Sequence, residues 1–259
     1  MSPRKLAIVT GASSGIGLEL AKLAAHDGYD LIVAADEPLV DASDALKNLG
    51  VDVQSVEADL ATDQGEKQLL LAAGDRPIDV LVANAGQGHG GAFVDQDPEV
   101  WKHTIGTNIT GTLLLIQPVL RQMLERDEGR ILVTGSIAGY IPGSFNAVYN
   151  GTKAFIDNFC AAISDEIKDS RVTITVLKPG ATDTEFFRRA HMLDTKVGQM
   201  EKDDPADVAK TGWDAMLKGE CSVVHGLMNK ATVLAAGLAP ESLTARKHRA
   251  QAEPGSADE

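Results

Sequence analysis

The chain has 259 residues, 44% of them hydrophobic, and a formal net charge of −13 from 24 Lys and Arg against 37 Asp and Glu. That length suffices for one substantial α/β core. The acidity repels phosphate backbones and anionic lipid heads, which makes nucleic acid and membranes poor partners.

The N-terminal "KLAIVT" (5–10) has the composition of a first strand and is too short for a secretory apolar region. Residues 15–28 follow as a helix, with Ile16, Leu20, Leu23 and Ala24 at helical spacing and Gly28 closing it. "DLIVAA" (30–35) is a second strand, and "VDVQSVEAD" (51–59) a third after a helical stretch containing Leu39, Val40, Ala45, Leu46 and Leu49. "DVLVANAG" (79–86), "RILVTGS" (130–136) and "VTITVLKPG" (172–180) supply three more strands, and "CSVVHG" (221–226) a short last one. Residues 101–126 and 149–169 predict long helices. The near-continuous apolar strands suit a parallel sheet buried on both faces. The alternation predicts one doubly wound, Rossmann-type α/β sheet with helices on both sides. A single domain over 1–245 is expected, with 246–259 a polar, flexible tail. No run reaches the length of a membrane span. The two cysteines, Cys160 and Cys221, lie outside any CxxC or His-rich pattern. They predict reduced, mostly buried thiols in a cytoplasmic protein without a metal site.

The first strand runs into "TGASSGIG" (10–17), which opens the first helix. Gly11, Gly15 and Gly17 permit a sharp turn and close approach to a pyrophosphate, and the helix N-terminus offers unpaired N–H groups to that anion. Asp36 ends the second strand about 20 residues later, where a carboxylate would hold the adenosine ribose hydroxyls and repel a 2′-phosphate. No Lys or Arg occurs among Ala12, Ser13 and Ser14 or between Ala34 and Pro38, so the expected cofactor is NAD, with NADP the alternative.

With "ADL" at 58–60, "ANAG" at 83–86, "TN" at 107–108, Ser136 in "TGSIAG", "YNGTK" at 149–153 and "KPGATDT" at 178–184, the chain resembles the short-chain dehydrogenase/reductase family over roughly residues 5 to 230. The resemblance implies a cofactor site of Gly11, Ser13, Ser14, Gly15, Ile16, Gly17, Asp36, Asp59, Leu60, Asn84, Ala85, Gly86, Tyr149, Lys153, Pro179, Gly180, Thr182 and Thr184. In it, Asp59 would meet the adenine amino group, and Pro179, Gly180 and Thr184 would flank the nicotinamide. It also implies a catalytic tetrad of Asn108, Ser136, Tyr149 and Lys153. Asp36 stands about one residue later than the acid of typical NAD enzymes in the family, nearer the place where NADP enzymes carry a basic residue.

The chemistry accounts for these residue types. Tyr149 and Lys153 lie one helical turn apart on one face. A free phenol titrates at about 10, and a neighbouring ammonium favours the phenolate and lowers that value. Tyr149 would then give a proton to a carbonyl or take one from an alcohol. Ser136 would hydrogen-bond the substrate oxygen, and Asn108 would hold a water linking Lys153 to solvent. His89 and His103 have no partner evident in the sequence and are expected to be structural or exposed. The segment 184–204 reads either as a lid over a partly apolar pocket or as a surface helix packed on the body.

The expected activity is hydride transfer between a nicotinamide cofactor and a secondary alcohol or ketone. A catalytically silent dinucleotide sensor is the alternative; an epimerase or dehydratase would need a longer substrate region. Apolar positions Leu113, Leu114, Ile116, Phe155, Phe159 and Ile163 on the two long helices predict a homodimer or homotetramer.

Overall fold

In the computed structural model, which describes residues 4–258, seven parallel strands lie in the order β3-β2-β1-β4-β5-β6-β7. They are β1 (Leu6–Thr10), β2 (Asp30–Ala35), β3 (Val53–Glu57), β4 (Ile78–Ala83), β5 (Gly129–Thr134), β6 (Val172–Lys178) and β7 (Ser222–Val224). Alternating side chains feed opposite faces. Leu6 and Ile8 of β1 enter one core with Leu81, Ile116 and Ile131, whereas Ala7 and Val9 enter the other with Val33, Leu132 and Trp213. Helices α1 (Gly15–His26), α2 (Val40–Lys47) and α9 (Pro205–Leu217) cover the second face. On the first face lie α3 (Asp63–Ala73), α5 (Thr112–Arg126) and α6 (Ala147–Glu166). Between β4 and α5 run α4 (Pro98–Ile105) and one wide π turn, Gly106–Gly111.

The direction in which the chain winds across the sheet reverses between β1 and β4, and that switch point opens a crevice beyond the strand ends. One side chain ties its rim together. The Asn84 amide nitrogen donates to the Thr10 and Gly11 carbonyls at 3.1 and 3.3 Å, and its oxygen accepts from the Thr134 hydroxyl at 2.9 Å. Three adjacent strands are thereby pinned at the crevice.

Past β6 the chain forms two short helices, α7 (Phe186–Arg189) and α8 (Lys196–Gln199), and this segment, named the lid for its position alone, places Phe186, Arg189, Met192 and Val197 on the wall of the crevice. The C-terminus departs from expectation. In place of a flexible tail from 246 there is a hairpin of helices, α10 (Leu227–Leu238) and α11 (Glu241–Ala252). Its end docks on the lid: Ala252 and Ser256 are buried, Ser256 Oγ accepts from the Lys196 amide, and Asp194 accepts from the Gly255 and Ala257 amides. Cys160 is buried as expected, but Cys221 is exposed. No described helix is long and apolar enough to cross a membrane.

Candidate active site

Ser14 stands at the N-cap of α1 in extended conformation and does not cap the helix with its side chain. The first-turn amides therefore remain available to an anion. Gly17 packs against the Gly11 carbonyl so closely that a Cβ would penetrate it. Gly15, at φ +55°, faces Thr184, whose methyl would lie 2.7 Å from an added Cβ. The loop thus makes a tight cradle with open amides, and it fits a dinucleotide pyrophosphate.

A cavity of about 650 Å³ runs from this cradle across the strand ends. Every expected cofactor residue lines it, from Gly11, Ser13, Ser14, Gly15, Ile16 and Gly17 through Asp36, Asp59, Leu60, Asn84, Ala85 and Gly86 to Pro179, Gly180, Thr182 and Thr184. Ser136, Tyr149 and Lys153 line it as well. Asn108 is the exception. It is buried in the π turn, its amide oxygen accepts from the Gln87 N–H at 2.9 Å, and its amide nitrogen donates to the Gln87 carbonyl and the Thr152 hydroxyl. The side chain is consumed in holding Gln87 and α6, so Asn108 acts on the wall from behind and does not face the cavity.

Lys153 reaches back to donate to the Thr134 carbonyl at 2.7 Å, with Nζ 5.7 Å from the centre of the Tyr149 ring. Burial pushes Lys153 down to about 8, opposed by the charge of Asp157 one turn further along α6. Burial also pushes the Tyr149 phenol up to about 12; a hydrogen bond from Ser136 opposes the shift and Asp157 adds to it. Desolvation is the largest influence on the phenol in this structure, ahead of Ser136 and Asp157.

Four participants were not evident in the sequence. Arg189, from the lid, pairs with Asp36 at 2.6 Å and Glu37 at 3.5 Å, so a basic residue does stand beside Asp36. His103, expected to lack a partner, sits between Gln87 at 2.6 Å and Asp59 at 2.9 Å. An imidazole protonated on Nε2 satisfies both. Burial opposes ionisation of Asp59, but the Ala61 amide and His103 outweigh it and hold the carboxyl below its usual range. Behind Tyr149 and Lys153, Asp157 meets Lys178 at 3.3 Å, and Lys178 donates to the Tyr140 hydroxyl at 2.5 Å. His89 stacks edge-on against His191 at 5.3 Å, and neither lines the cavity.

A family model described as short chain dehydrogenase matches residues 5–192. An uncharacterised oxidoreductase of Staphylococcus epidermidis is 30% identical over 232 residues, spanning 88% of this chain and 96% of its own. A short-chain dehydrogenase of Sphingobium yanoikuyae in complex with NADPH superposes with a TM-score of 0.82 at 27% identity, covering 92% of this chain and 94% of that one. A short-chain dehydrogenase/reductase of Burkholderia phymatum in complex with NAD shares the fold at a TM-score of 0.83 and 22% identity, covering 89% and 92%.

Proposed function

The chain belongs to the short chain dehydrogenase family, and on that premise we propose that it interconverts a ketone and a secondary alcohol at the expense of NAD(H), with Tyr149 as general acid and base. The observation that carries this reading is the convergence of Ser136, Tyr149 and Lys153 on the same cavity wall as the open amides of the glycine cradle.

A bound nicotinamide would supply or accept the hydride. The chain's own residues do the rest. The cradle of Gly11, Gly15 and Gly17 takes the pyrophosphate, and Pro179, Gly180 and Thr184 border the ring. Ser136 fixes the substrate oxygen by a hydrogen bond and opposes its outward drift. In reduction the Tyr149 O–H bond breaks as hydride arrives at the carbonyl carbon, and its proton passes to the carbonyl oxygen, giving the alcohol. Lys153, as an ammonium, offsets the charge left on the phenolate. Phe186 packs on Tyr149 with ring centres 4.9 Å apart and helps keep water from the phenol.

Asp36 supports NAD over NADP, since two carboxylates face one guanidinium at the ribose end. Leu114 and Phe155 are exposed on the long helices, and Phe155 stacks on Phe159 at 6.1 Å. They suit a homodimer or homotetramer joined through these helices. Titration of nicotinamide fluorescence with NADH and NADPH, followed by a ketone panel, tests the reading. Absence of binding by both dinucleotides would refute it.

A further inference from the structure

The C-terminal hairpin presents two inner faces to the same cavity. From α10 and its C-cap come Met228, Asn229, Thr232, Ala235, Ala236 and Ala239, at spacings that fall on one helical face. From α11 come Thr244, Lys247, His248 and Gln251, also on one face. On the first wall Ala235, Ala236 and Ala239 form a small apolar stretch that leaves room, beyond Met228, Asn229 and Thr232. The second is mostly polar after Leu243 and carries a cation. The hairpin is held over the catalytic entrance: His248 Nδ1 lies 2.9 Å from the Ser144 carbonyl, and the Ser144 hydroxyl donates to the Ala245 carbonyl at 3.1 Å. Ser144 lies just ahead of α6, whose first turn carries Tyr149.

The cations on the cavity wall are unequal. Lys153 is engaged with the Thr134 carbonyl, and Arg189 with Asp36 and Glu37. Lys247 makes no ion pair with the described residues, although the chain carries a net charge of −13. An uncommitted cation opposite an apolar wall asks for an anion on an apolar body. One lysine offers a single positive charge, the complement of a single carboxylate.

We propose that the substrate is a bulky ketone, or the matching secondary alcohol, whose apolar body lies along the alanines of α10 and whose far end carries a carboxylate bound by Lys247. This rests on the oxidoreductase reading given above. The probes are a biphenyl methyl ketone with a carboxylate on the far ring, its methyl ester, and small butanone. Affinity for the enzyme–NADH complex is read from nicotinamide fluorescence, and turnover is followed separately.

Lys247 is exposed at the cavity mouth, so the acid should bind about three- to fivefold tighter than the ester. Lys247→Gln should bring that ratio to about one, and Lys247→Glu should invert it; the ester serves as the folding control within each variant. Ala236→Phe should lower the ratio of biphenyl to butanone turnover at least about tenfold, by filling the space along α10. Equal affinity of acid and ester in the wild type, or a preference that survives Lys247→Gln, would overturn the proposal while leaving the oxidoreductase reading intact. Selective binding of the acid without reduction of any ketone would uphold the chamber assignment and refute the activity instead.

Discussion

Arg189 and Asp36 are 153 residues apart in the chain, and the guanidinium meets the carboxylate at 2.6 Å. The pair joins the lid to the end of β2, directly across the ribose end of the cavity. The same four-residue helix α7 places Phe186 on Tyr149, so one element touches both Asp36 and the proposed acid–base phenol. While Asp36 holds Arg189, the guanidinium is not free to receive a 2′-phosphate. Asp36→Ala should weaken NADH binding about tenfold and strengthen NADPH binding, because Arg189 is released. The NADPH gain should vanish in the Asp36→Ala/Arg189→Ala double variant. Fluorescence titration of both dinucleotides checks this; an NADPH gain that persists without Arg189 would exclude the release mechanism.

Lys153 sets a pH limit. Its ammonium is present below about 8 and is lost as pH rises through that value. The groups facing it are Tyr149 on α6 and Asp157 one turn beyond, with Lys178 of β6 behind Asp157. The rate of ketone reduction should fall with an alkaline limb near pH 8. Asp157 raises Lys153, so Asp157→Asn should move that limb to lower pH. A pH profile of kcat decides it, and an unmoved limb in the variant would remove Asp157 from the site's electrostatics.

Glu66 on α3 is 3% exposed, and neither carboxyl oxygen has a hydrogen-bond partner among the described residues. Burial raises it from its ordinary 4.5 to about 8. Between those values the folded chain holds a proton that the unfolded chain has released, so stability must fall as pH rises through the window. Glu66→Gln mimics the protonated form and should remove that slope. The gain should be on the order of 2–4 kcal/mol near pH 8 and small near pH 4. Denaturant melts at the two pH values measure it, and an equal effect at both would contradict the burial argument.

What could be read in the chain was local. The glycine cradle, Asn84 and the Tyr149–Lys153 turn each sit within a few residues of the strand end or helix start that presents them. What escaped was long-range or hidden by composition. Arg189, His103 and Lys178 acquire partners only when the sheet brings distant segments together. In α3 the inward positions are Gly65, Glu66, Leu69 and Ala73, and a glycine and a carboxylate break the apolar stripe that would have marked the helix. The start of α9 did carry a signal, Asp204 capping ahead of Pro205. The second half of α11, from 246, reads as a polar tail because the helix turns Lys247, His248 and Gln251 toward a cavity and lacks the hydrophobic periodicity of a core helix.

The account turns on the Tyr149 hydroxyl as the group that exchanges a proton with substrate. Tyr149→Phe removes that oxygen and keeps the ring against Phe186. Single-turnover oxidation of bound NADH by a ketone that the wild type reduces should slow about a thousandfold, while NADH affinity stays within about twofold. Hydride transfer at near wild-type rate in that variant would contradict it.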